Sequence, residues 1–253
     1  MWRKLWLLGC WALVQAQELP SAADVLRGAE AALREPPVMW GIVVVPALLA
    51  VDRAVAEVYS PLCGRGLLWQ VAHLYGERWM PLAVAAGAYG IGWLLDNQQL
   101  QRVGITVAGS AVVAGIVTAT FKVAVGRARP EVNAGAFAFS PGSFDDRYQS
   151  FPSGHAAIGF ATTTALVATL KPSLVVRVAA YGLAGLMAIS RLYGGRHWLS
   201  DVVAGASVGY AAARAVALAV DGRQAAGLEV LPLAGRGVGI ACYFPLLRPE
   251  QHR

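Results

Sequence analysis

Residues 190–201, SRLYGGRHWLSD, set Arg191 six residues before His197 and Asp201 four residues after it. If the chain turns helical at Trp198, His197 and Asp201 fall one turn apart on one face. A carboxylate so placed can accept an imidazole N–H, fix the tautomer and leave the other ring nitrogen as a nucleophile. Arg191 adds a permanent planar cation whose donors match phosphate oxygens. The competing account is an interfacial histidine beside a helix-capping aspartate, and this stretch alone does not separate the two.

Two further stretches bear on the choice. Lys122 and Arg129 lie seven residues apart, about two helical turns, at the end of an uncharged run over 103–121. Pro130 follows at once and predicts that the helix stops there. Two fixed cations at a helix end on a membrane face are costly unless they meet an anion, the alternative being that both snorkel into solvent. The third stretch, Phe151-Pro152-Ser153-Gly154-His155, opens another apolar run. Ser153 suits an N-cap, Gly154 lets a ligand approach the backbone, and the free amides of that helix start favour a phosphate. His155 would stand in the first turn, where it could protonate a leaving oxygen. An ordinary cap with an incidental histidine is the alternative.

Taken together, Lys-x6-Arg-Pro at 122–130, Pro-Ser-Gly-His at 152–155 and Ser-Arg-x5-His-x3-Asp at 190–201 resemble the three signatures of the type 2 phosphatidic acid phosphatase superfamily. That superfamily also includes bacterial acid phosphatases and vanadium haloperoxidases. The resemblance covers about 79–220, with every signature position filled and in family order. It implies that Lys122, Arg129, Arg191, Ser153 and Gly154 bind the phosphoryl oxygens. It implies further that His197 attacks phosphorus with Asp201 holding its ring, and that His155 serves as proton donor. No metal or other cofactor is implied, since the cations and helix amides supply the charge stabilisation. His155, His197 and Asp201 are of metal-ligand type, but so many neighbouring cations oppose a metal ion.

These residues need elements that bring them to one place. The chain of 253 residues is 57% hydrophobic and 14% charged, against about 25% charged in an ordinary soluble domain, and is rich in Gly and Ala. The expected fold is all-α, a helical membrane bundle of about five to six long helices with the active site at one membrane face. The net charge of +6 is read as membrane-flanking cations and an anion site; no basic run interleaves with aromatics, so nucleic acid is not expected as a partner. Candidate spans are 79–95, 103–121, 156–170, 174–189 and 199–220. Residues 38–51 are apolar but too short to span alone.

Residues 1–16 carry the basic start, apolar run and Val-Gln-Ala end of a secretory signal peptide. An N-terminal segment with short or interfacial helices, 17–78, precedes the catalytic bundle, 79–220, and a tail, 221–253. Apolar runs flanking Ala234-Gly235-Arg236-Gly237 could close into a small hairpin. Cys63 and Cys242 could pair in an oxidising compartment, or remain separate packing residues. Asp145, Asp146 and Arg147 could touch a headgroup or form a solvated loop face.

The parity of the spans returns all three signatures to one side. With a cleaved signal and no span over 38–51, that side is the periplasmic face of a bacterial inner membrane. The expected activity is therefore hydrolysis of a phosphomonoester or diphosphate, most naturally of a lipid such as phosphatidic acid, phosphatidylglycerophosphate, undecaprenyl diphosphate or lipid A phosphate. The runners-up are a periplasmic acid phosphatase on soluble esters, a vanadate-dependent haloperoxidase and a non-catalytic phospholipid-binding protein. Oligomeric state is not legible.

Overall fold

The computed structural model describes residues 19–59, 75, 77, 79–193, 195–225, 228–233 and 237–242, the last 15 of these by backbone alone. The signal peptide and the Cys63–Cys242 pairing lie outside what is described. Eight helices are described: α1 (Ala22–Leu33), α2 (Pro36–Leu49), α3 (Asp52–Tyr59), α4 (Trp79–Leu94), α5 (Gln98–Val125), α6 (Gly154–Leu170), α7 (Leu174–Ser190) and α8 (Leu199–Ala225). The strands β1 (Leu228–Leu233) and β2 (Gly237–Cys242) then pair antiparallel, with Leu228 opposite Cys242. The architecture is thus the expected helical membrane bundle.

Helix α8 is its axis, packed by α1, α2, α5 and α6, while α4 pairs with α5 and α7 lies on α6. Small residues allow this. A Cβ added at Gly205 of α8 would strike the Ser153 carbonyl, so the start of α6 can approach α8 only where the side chain is missing. Beneath that approach Ala156, Met187, Ala188, Leu192 and Val202 form one buried apolar cluster joining α6, α7 and α8. The outside is apolar as well: Leu82, Val112, Ile116, Val175 and Val178 are all more than half exposed. Such a surface is stable against lipid rather than water.

Among the described residues two helices, α5 over its 28 residues and α8 over Leu199–Gly222, are long and apolar enough to cross a membrane. Helix α2 alone is short, in line with expectation. Helices α1 and α2, however, pass the same test together as one broken span bent by 67°. Glu35 at that break is tied to α8, accepting from Tyr210 Oη at 2.6 Å and Arg214 Nε at 2.7 Å.

The long connection 126–153 differs from expectation at its start. Pro130 does not end α5. The helix stops at Val125 because Gly126 takes a left-handed conformation (φ 60°) and donates its N–H to Lys122 O. Lys122 therefore sits on the last turn of the helix, whereas Arg129 lies in the extended segment that follows. That segment is held by an isolated bridge between Arg127 and Phe139 and by Arg129 N–H donating to Arg147 O.

Candidate active site

A cavity of about 800 Å³ opens at the end of the bundle where α5 finishes and α6 and α8 begin. Lys122, Arg129, Gly154, His155, Arg191 and His197 all line it. Three segments well separated in the sequence thus converge on one space. Ser153 and Asp201 lie just behind the wall, both fully buried. Ser153 caps α6, its hydroxyl accepting from Ala156 N–H and its own N–H donating to Asp201 O. At Gly154 an added Cβ would meet only Thr118 and Lys122 at ordinary contact distance. The glycine is not required by packing, and it lines the cavity.

Lys122 and Arg129 are each aimed by a backbone carbonyl, Arg129 by a carboxylate as well. Lys122 Nζ donates to Gln149 O. Arg129 donates from Nε to Asp146 O and from a terminal nitrogen to Asp146 Oδ1, both at 2.8 Å, and from the other to Arg196 O at 3.1 Å. Asp146 lines the cavity and clamps Arg129, while its neighbours Asp145 and Arg147 pair with one another. Burial pulls the Arg191 guanidinium below its usual value, with Glu77 opposing and Arg196 and Arg129 adding to the effect. An anion in the cavity would relieve both the burial and the mutual repulsion of these cations.

The ring of His197 is only 4% exposed. Its Nδ1 lies 2.9 Å from Ser150 O and 3.9 Å from Asp201 Oδ2. The direct carboxylate–imidazole hydrogen bond expected from the spacing is therefore absent. The i, i+4 relation holds, but a backbone carbonyl occupies the bonding position. A carbonyl only accepts, so Nδ1 carries the proton and Nε2 offers its lone pair to the cavity. Burial, reinforced by Lys122, Arg129 and Arg191, holds this imidazole well below the usual histidine range, with the Ser150 carbonyl pulling the other way. The ring is neutral near pH 7, as a nitrogen nucleophile must be. His155, across the cavity, faces Glu77, its Nε2 3.8 Å from Oε1.

The carboxylate of Asp201 is engaged elsewhere. It accepts from Trp198 N–H at 2.9 Å, closing the first turn of α8, and from Ser150 Oγ. It also accepts from Arg127, 1% exposed, at 2.6 Å. Arg127 places all five of its donors: on Asp201, Ser200 Oγ (2.7 Å), Asp52 (2.8 Å) and twice on Ala136 O. Sequence reasoning missed Arg127, Asp52, Ser150, Ser200 and Glu77. Only Arg127 carried any signal, as a third cation beside Arg129 in GRARP. Among the described residues no group of three His, Cys, Asp or Glu side chains is arranged to hold a metal. Replacing Arg127 by Met leaves two buried carboxylates without their cation, so Arg127→Met should lose about 3–5 kcal/mol of stability. Thermal unfolding in detergent reads this; an unchanged midpoint would contradict the network.

Residues 104–225 match the family model described as "PAP2 superfamily". The chain is 37% identical over 102 residues to a lipid A 1-phosphatase of Rhizobium johnstonii, covering 40% of this chain and 41% of that protein. It is 33% identical over 132 residues to the lipid A 1-phosphatase of Porphyromonas gingivalis, covering 51% and 26%. The chain thus spans well under half the length of these curated relatives. Among solved structures, Aquifex aeolicus LpxE aligns with a TM-score of 0.47 at 18% identity, over 64% of this chain and 92% of that one. A phosphatidylglycerolphosphate phosphatase of Bacillus subtilis aligns with a TM-score of 0.48 at 22% identity, over 79% and 92%. The matched segment, just under half of the chain, contains Lys122, Arg129, Ser153, Gly154, His155, Arg191, His197 and Asp201, and the chain is similar to the PAP2 superfamily through it.

Proposed function

We propose that this protein is a membrane phosphatase that removes phosphate from a lipid phosphomonoester or diphosphate through a phosphohistidine. The observation that carries the reading is the mixed lining of the cavity. Beside the charged and polar Lys122, Arg129, Asp146, Arg191, Arg196, His155 and His197 it has an apolar part from Leu82, Ala111, Val112, Gly115, Ala119 and Ile158. On α5 the positions 111, 112, 115, 119 and 122 form a single stripe that runs from apolar residues to the lysine. A lipid lying along that stripe keeps its chains against apolar helix while its phosphate meets the cations. A soluble ester would need no such apolar part, and nothing in the site favours the haloperoxidase reading. The relatives' names make lipid A the first substrate to try.

In the proposed reaction Nε2 of His197 attacks phosphorus and the bond to the leaving oxygen breaks. His155 gives that oxygen its proton. Water, deprotonated by the same histidine, then attacks the phosphohistidine and releases inorganic phosphate and free His197. Lys122, Arg129, Arg191 and the first amides of α6 carry the charge on the three equatorial oxygens. The imidazole becomes cationic as the N–P bond forms, and the Ser150 carbonyl and Asp201 carboxylate behind Nδ1 stabilise that charge.

Phosphate release from lipid A or phosphatidic acid in detergent should exceed that from glycerol phosphate by about tenfold or more in kcat/KM, because the tail contributes binding. His197→Ala should lower release about a thousandfold or more. Because the unprotonated ring attacks and its proton is lost at lower pH than usual, the acid limb of kcat/KM should fall below about pH 6.5. Undiminished release by the variant would refute the mechanism.

We further place the site on the periplasmic side of a bacterial inner membrane. A chain exported behind residues 1–16 starts outside, α4 runs inward and α5 brings Lys122 back out; counting α1 and α2 as one span would reverse this. A Phe144→Cys variant with the native cysteines replaced should react with a membrane-impermeant maleimide in intact spheroplasts. Reaction only after lysis would put the site in the cytoplasm.

A further inference from the structure

The buried network behind His197 includes one residue from far outside the matched segment. Asp52 is the first residue of α3 and is 0% exposed. Its Oδ1 accepts from Ser200 N–H at 2.9 Å, an amide of the first turn of α8 that has no partner within the helix. Its Oδ2 accepts from Ser200 Oγ and from Arg127 at 2.8 Å. Arg127 thus stands between two carboxylates, Asp52 and Asp201, and the trio carries one net negative charge.

We infer that Asp52 is a positioning residue for His197: by taking up the charge of Arg127 and anchoring the first turn of α8, it leaves the Asp201 carboxylate negative toward the imidazole. Without Asp52 the pair Arg127–Asp201 is neutral, and the ring loses the countercharge that its phosphorylated, cationic form requires. The inference rests on the phosphohistidine reading above. It makes the segment before the matched domain part of the active site, with Asp52 acting through Arg127, Ser200 and Asp201 and touching no substrate.

The charged and titratable groups around His197 come from every neighbouring element. Lys122 stands on α5, Arg127 and Arg129 in the following connection, His155 on α6, Arg191 at the end of α7 and Asp201 on α8. Lys122, Arg127, Arg129, Arg191 and Arg196 are cations; Asp146 on Arg129 and Glu77 beside His155 are carboxylates of the cavity side, and the net negative trio is the opposing field behind Nδ1. Removing the Asp52 charge disfavours imidazolium, and the acid limb of kcat/KM must then move to lower pH.

The test compares the full-length wild type with Asp52→Asn and Ser200→Ala in detergent. Each is read by kcat, KM, the acid limb and the affinity for orthovanadate, which needs no turnover. Asp52→Asn should lower kcat about tenfold with little change in KM, shift the acid limb to lower pH and weaken vanadate about tenfold. Ser200→Ala keeps both charges and should show the kcat loss in smaller degree without the pH shift. It also carries the test if Asp52→Asn does not fold: Ser200→Ala must then lower kcat and weaken vanadate, and wild-type values would overturn the inference. A lower yield of folded protein with kcat, acid limb and vanadate affinity at wild-type values would mean that Asp52 is structural only. A wild type that releases no phosphate from any lipid would sink the phosphatase reading instead, while the vanadate comparison would still decide the role of Asp52.

Discussion

A guanidinium sealed from solvent must have every donor met and its charge answered, or the segment that carries it cannot stay inside. Arg127 meets that demand with Asp52, Asp201, Ser200 and the Ala136 carbonyl. Those partners come from α3, from the connection after α5 and from the first turn of α8. One buried charge therefore fixes where three separate parts of the chain begin or end. Trp198 adds to the lock, with its ring 5.4 Å from the guanidinium and its Nε1 donating to Ala128 O at 2.8 Å.

From that anchor the cavity follows. Helix α8 starts at the anchor, so His197 and Asp201 are placed by it. Gly205 lets α6 start close by, which brings the Ser153 cap, Gly154 and His155 alongside. The connection leaving Gly126 passes Arg127 into the core and returns Arg129 to the cavity, where Asp146 and Arg196 O aim it. The result collects cations that repel one another around a neutral imidazole. That arrangement is unfavourable when empty and would be relieved by a tetrahedral anion.

Much of this was legible in the residue pattern because it depends on local rules. Apolar length predicted the long helices, Ser153 predicted the start of α6, and the cation and histidine spacings predicted which side chains would meet. What escaped depends on tertiary burial. Arg127 and Arg129 are both arginines two positions apart, yet one faces the core and the other the cavity. Asp52 opens a short amphipathic helix that reads as interfacial, and no local feature tells that its carboxylate enters the core. The end of α5 was misplaced because a proline announces a stop more loudly than a glycine, although Gly126 supplies the left-handed cap four residues earlier. The partner of His197 was misassigned for a similar reason. Spacing brings Asp201 near, but the chain folding back at Ser150 decides which oxygen reaches Nδ1.

The central claim is that three distant segments form one anion cradle around the Nε2 of His197. A structure determined with orthovanadate bound tests it most directly. The account predicts vanadium bonded to that nitrogen, with Lys122, Arg129 and Arg191 on its equatorial oxygens and His155 facing its apical oxygen. Vanadate bound away from His197, or gripped by only one of the three segments, would contradict it.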